Sequence, residues 1–206
     1  MIKRGGSSQV RKQAEDGVSL LEVVISMAVL TVGMVSMLGV FGLAMATTET
    51  SQQDMIAKQL ANEAYESIVT ARNSTQISWS QIGNAASCSG GVDPASGGIF
   101  LPSTSANPTF YPIYQSGADG IFGTCDDTVA GEQTLQDPGP DGIFQTADDV
   151  FIALTGYQRS IVFSPVYDSA GVVVPSLQNV TIMVQYSTPQ YRQRTYILNS
   201  YISQFN

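Results

Sequence analysis

The sequence predicts an α+β chain, with a long N-terminal helix packed on a C-terminal antiparallel sheet and a loop-rich middle between them. Three observations predict it. From Val23 to Thr48 no residue is charged, which is long enough for the roughly 20 apolar residues that a bilayer crossing needs. Beyond that run, Ile56, Leu60, Ala64 and Ile68 recur at every fourth position among Gln52, Lys58, Glu63 and Glu66, the stripe of an amphipathic helix able to lie on a globular body. From residue 151 onward the period changes to two, most cleanly at Val180, Ile182, Val184 and Tyr186, as on the buried face of an antiparallel sheet.

The helix is expected from Val18 to Arg72, about 80 Å at ~1.5 Å per residue. Its first part is a membrane segment (18–48), and 49–206 form one globular domain. Gly33, Gly39 and Gly42 interrupt the apolar part, each costing roughly 1 kcal/mol of helix propensity. They either allow close helix contact or reflect ordinary glycine usage in such helices. Glu22 stands alone at the front of the run. A carboxylate costs roughly 2.5–3.5 kcal/mol near a bilayer centre and less near the interface, so an acid here is a functional candidate whose partner must be found. The plainer alternative is an interfacial carboxylate that complements the positive end of the helix.

Four of the nine basic residues (Lys3, Arg4, Arg11 and Lys12) precede the apolar run, and the whole chain carries −8. Removing residues 1–17 takes those four and two of the seventeen acids, Glu15 and Asp16, leaving −10. So acidic a body should repel nucleic acid. The basic leader predicts positive-inside topology, with residues after about 50 outside the cytoplasm. Cys88 and Cys125 then lie where a disulfide persists, the alternative being two free buried thiols. The apolar run is too long for a secretory signal, whose core spans 7–15 residues before a small-residue cleavage site. Gly17, the only glycine next to a charge break, lies before the run, so any cut is expected on the cytoplasmic side of the helix.

A basic leader ending in Gly17, followed by Val18-Ser19-Leu20-Leu21-Glu22 and a long apolar helix, resembles the class III signal of type IV pilins and pseudopilins. The resemblance implies that a prepilin peptidase cuts after Gly17 and methylates the new amino terminus at Val18. The usual first residue is Phe, from which Val18 departs. It also implies that Glu22 pairs with the amino terminus of a neighbouring subunit during assembly into a filament. That supplies the partner: the cut creates a cation at Val18, one helical turn from Glu22 at i+4. Major pilins often carry proline where Gly39 falls. AKQLANEAYESIVTARN (57–73) is similar to the helix of minor pilins related to the pilus-modification protein PilV, over about the first third of the chain. The expected subunit is therefore a minor one, single-pass in the inner membrane before assembly and then at the cell surface.

Residues 73–116 are rich in Ser, Gly, Asn, Ala and Pro and are expected to be mostly loop with short strands. An internal repeat follows: GADGIFGTCDDTV (117–129) and GPDGIFQTADDVF (139–151), with DPASGGIF (93–100) as a degenerate third copy. The acids Asp119, Asp126 and Asp127, and their counterparts Asp141, Asp148 and Asp149, offer the hard oxygens that calcium takes six to eight of. The spacing is not that of an EF-hand, but it resembles the GxDGxxGTxDD-type loop with which major pseudopilins bind calcium. The alternative is a pair of Asp-Gly turns with solvated tips. Cys125 lies in the first copy, where a Cys88–Cys125 bridge would tie the loop-rich segment to the repeat. Without a CxxC it is a staple and not a redox centre.

The chain has no histidine, so neither a Ser-His-Asp nor a Cys-His site can form, and no phosphate-cradling glycine motif appears. A structural role is expected instead of an enzymatic one. Tyr191, Tyr196 and Tyr201 are expected to pack on the sheet, the alternative being a binding platform. Two further alternatives stay open beside the minor pilin: a pseudopilin of a type II secretion system, and a membrane-anchored calcium-dependent binding module that never polymerises.

Overall fold

The computed structural model describes residues 19–188 and 192–205. It divides into two compact units, 1–45 and 46–206. The only helix of α type among the described residues, α1, runs Leu20–Asn73, and the strands are β1 (Tyr111–Pro112), β2 (Thr134–Asp137), β3 (Val150–Ala153), β4 (Tyr157–Tyr167), β5 (Val173–Ser187) and β6 (Gln193–Ser203). The arrangement is α+β, as the sequence predicts.

In the first unit α1 is apolar and almost wholly exposed, with Leu20, Met27, Val35, Leu38 and Phe41 all open to the surroundings. By length and composition the helix is able to cross a membrane. Ser26, Thr31 and Ser36 return their hydroxyls to carbonyls three or four residues back, which hides those polar groups from an apolar environment.

In the second unit α1 buries Ala57, Leu60, Ala61, Ala64, Ile68 and Ala71. Leu60, Ala64 and Ile68 are the expected stripe, and the alanines broaden it. The sheet has the order β1-β4-β5-β6, all antiparallel. Val180, Ile182, Val184 and Tyr186 of β5 all face the core, as the period of two requires. A separate two-stranded ribbon pairs β2 with β3.

Two boundaries differ from the pattern. FIALTGYQRSIVF reads as one strand but breaks at Leu154-Thr155-Gly156, sending its first part into the ribbon and its second into the sheet. AGVVVP reads as a turn, yet Val173, Val174 and Pro175 belong to β5, and the turn is closed by Asp168 Oδ1, which accepts from the N–H groups of Ala170 and Val172. Pro175 is tolerated because the β4–β5 register shifts between Pro165 and Tyr167, and an irregular stretch spares a proline the missing ladder bond. The loop-rich segment is pinned to β4 by Asn84, whose Nδ2 donates to Leu101 O and Ile161 O (2.8 and 2.7 Å) and whose Oδ1 accepts from Phe163 N–H.

Candidate metal centre

Both acidic repeats fold into the same loop. In each, the first aspartate accepts from the N–H two residues on, Asp119 from Ile121 and Asp141 from Ile143, at 2.8 Å. In each, the threonine hydroxyl donates to the next acid at 2.7 Å, Thr124 to Asp126 and Thr146 to Asp148. The last aspartate accepts from the N–H of Gly123 in one copy and Gln145 in the other. That residue has positive φ in both copies, +89° at Gly123 and +68° at Gln145, which glycine adopts without strain and glutamine does not. A Cβ at Gly117 would lie 2.3 Å from the Asp126 carboxylate, and one at Gly139 would lie 2.5 Å from Asp148 O. The repeat is therefore one folding unit used twice.

Burial separates the copies. Ile121 is 1% exposed in the first copy, whereas Ile143 and Phe144 are 61% and 58% exposed in the second. The first copy also meets the loop-rich segment. Cys88 and Cys125 form a disulfide, with Cα atoms 5.3 Å apart, so both cysteines are paired. Leu101 N–H donates to Gly123 O and Cys125 N–H to Ile99 O (2.8 and 3.0 Å). These ties bring Asp93 to the repeat, where it accepts from Asp126 N–H at 3.2 Å.

The result is a cluster that motif spacing alone does not reveal. One carboxylate oxygen each from Asp93, Asp119 and Asp126 lie within 4.8 Å of one another. Asp119 Oδ2 is buried and meets no hydrogen-bond donor. Acceptors facing one another in this way are relieved by a proton or by a cation between them. Asp127 is placed differently from the other candidates: its oxygens accept from Gly117 N–H and Gly123 N–H, and it is fully buried. It braces the loop from inside, facing the buried Arg159. Asp141, Asp148 and Asp149 do not join a three-acid cluster among the described residues. The hydrogen bond from Thr146 holds Asp148 below the usual carboxylate range.

In the first copy burial disfavours the charged forms. It raises Asp93, helped by repulsion from Asp126. It lifts Asp119 to about 7 and Asp127 to about 6. A carboxyl whose folded value exceeds its unfolded value binds protons more tightly in the native state. Its contribution to stability is thus full below the unfolded value near 4 and is lost as pH rises through the folded one. In a chelating buffer the melting temperature should fall between pH 5 and pH 8. A rise across that window would contradict the placement of these acids.

Gly17 and Val18 lie outside the described residues, as does Tyr191. Glu22 is in the first turn of α1, exposed, with no ion-pair partner among the described residues. Tyr196 packs partly against the core while Tyr201 faces outward. No known protein family, curated protein or solved structure matches the chain.

Proposed function

We propose that the chain is a minor pilin-like structural subunit of a type IV pilus, inserted in the inner membrane and assembled into a filament through its N-terminal helix. One observation carries the reading: Glu22 is the only charge on α1 from Leu20 to Thr48, on a segment whose apolar side chains are left uncovered. An acid in such a segment needs a cation, and the amino terminus made by cutting after Gly17 is the cation at the right spacing. Prepilin peptidase and other pilin subunits are the partners this requires, and the globular part lies outside the cytoplasm. Trypsin should release a peptide starting at Val18 from the mature chain and one starting at Gln13 from an uncut chain. Recovery of only the second, from cells that carry the peptidase, would refute processing.

We propose calcium as the cation of the acidic cluster, with Asp93, Asp119 and Asp126 as its carboxylate ligands. The unpartnered Asp119 oxygen and the mutual repulsion of the three acids support this choice. A site with Kd on the order of 10⁻⁴ M would add about 1.4 kcal/mol at ~1 mM calcium. Calcium should raise the melting temperature and flatten its decline between pH 5 and pH 8, and Asp119→Asn should remove most of that gain. A melting curve indifferent to calcium and chelator at pH 8 would leave the cluster as acidic turns.

A further inference from the structure

The two copies of the loop pose a question that neither the anchor nor the metal centre answers. In the first copy the Ile-Phe pair is covered. Ile121 lies in the core with Ile68, Phe122 N–H donates to Ser67 Oγ of α1 at 3.2 Å, and the Arg159 guanidinium sits 5.3 Å above the Phe122 ring. The cover is thus one face of α1 together with an arginine from a strand. In the second copy the loop shares the aspartate and threonine hydrogen bonds described above, but its Ile-Phe pair has no cover. Ile143 and Phe144 are exposed, as are Val150, Phe151 and Ile152 of β3 that follow them in the chain, and exposed apolar side chains in such number mark an interaction site. Exposed Asp137, Asp141 and Asp148 flank it, so the occupant must bring positive charge.

The same unit carries a matching surface. Around Met55 and Lys58 of α1 runs a shallow groove lined also by Tyr186, Arg194 and Tyr196. Met55 is exposed, as are Lys58 and Arg194. Here again a helix face stands beside a strand arginine, with no other loop of the described residues lining the groove. Arg194 is bridged to Asp54 at 3.0 Å, which holds the guanidinium in place, and Lys58 leaves the groove net positive. We propose that the second acidic loop docks on a second copy of this chain, seating Ile143 and Phe144 against Met55, Arg194 and Tyr196 of that copy. The contact joins two different patches, so it is head-to-tail and propagates from copy to copy. Acidic rim meets basic groove, which sets register and makes docking salt-sensitive. Both surfaces belong to the 46–206 unit, so the docking does not rest on the filament reading.

The test uses the purified full-length chain reconstituted in phospholipid vesicles, with a benzophenone amino acid replacing Phe144. Irradiation should give covalent dimers and a ladder of higher species, with adducts mapped by mass spectrometry to residues 54–58 or 194–196 of the second copy. The label at Val129, also exposed but on the first loop, should give less than about a tenth of that yield. Asp141→Lys with Asp148→Lys should cut the Phe144 yield about tenfold, and mixing in Lys58→Glu chains should restore much of it. Both replacements also remove acceptors of the loop's own hydrogen bonds, so the rescue by Lys58→Glu chains, beside an unchanged melting temperature, separates lost charge pairing from a lost loop. Monomer alone, adducts elsewhere on the second copy, or a yield indifferent to the charge reversals would overturn the proposal.

Discussion

Replacing Cys88 and Cys125 together by alanine is expected to destabilise the globular unit by about 4 kcal/mol, the loop-closure entropy of a cross-link across 37 residues. For a domain of this size that corresponds to a melting temperature lower by about 8–16 °C. The bridge joins a loop-rich segment with little regular structure to the short 3-10 helix Cys125–Val129, which carries Asp126 and Asp127. Without it the Asp93 end is held to the repeat by the hydrogen bond from Asp126 N–H and by the backbone bonds of Ile99 and Leu101 alone. Calcium affinity should therefore fall with stability, whereas the covered α1–β5 core persists. Chemical reduction of the native chain should reproduce the double alanine variant. A shift below about 2 °C would mean that the loop is ordered without its cross-link.

The second large effect concerns Glu22. Alanine removes an acid from an apolar helix, so membrane insertion and cleavage should continue. Assembly should not. In a filament the Val18 amino terminus of the neighbouring subunit would be buried without its partner, which costs about 3–5 kcal/mol, a hundredfold or more in occupancy at ~1.4 kcal/mol per decade. Immunoblots should show normal amounts in the membrane and strongly reduced amounts in the sheared surface fraction. Equal surface amounts for Glu22→Ala and the native chain would defeat the pairing.

Much of this was legible in the sequence because it rests on local pattern. The face of β5 follows from alternation at Val180, Ile182, Val184 and Tyr186, and the second half of α1 from Leu60, Ala64 and Ile68. Ala57, Ala61 and Ala71 were not legible as core, since alanine suits a helix surface and a helix interior alike. The repeat was legible as sequence, but its unequal burial was not: GADGIF and GPDGIF look alike until α1 and Arg159 cover only one of them. The role of Asp93 was hidden for a different reason. It lies 33 residues from Asp126, and only the disulfide and the short backbone bridges bring the two together. The degenerate third copy, DPASGGIF, begins on that aspartate but aligns it with Asp137 and lacks the acids of the other two loops. Asp127 differs in the opposite sense, because an Asp-Asp pair does not reveal which acid turns inward.

The central claim is that this chain is cut before Val18 and then built into a filament. Its most direct test is mass spectrometry of filaments sheared from cells expressing the native chain. The claim predicts a tryptic peptide running from Val18 to Lys58, carrying one methyl group at its amino terminus when methylated, together with peptides from the globular unit. Filaments devoid of this chain, with the Val18 peptide confined to the membrane, would contradict it and leave an anchored module that never polymerises.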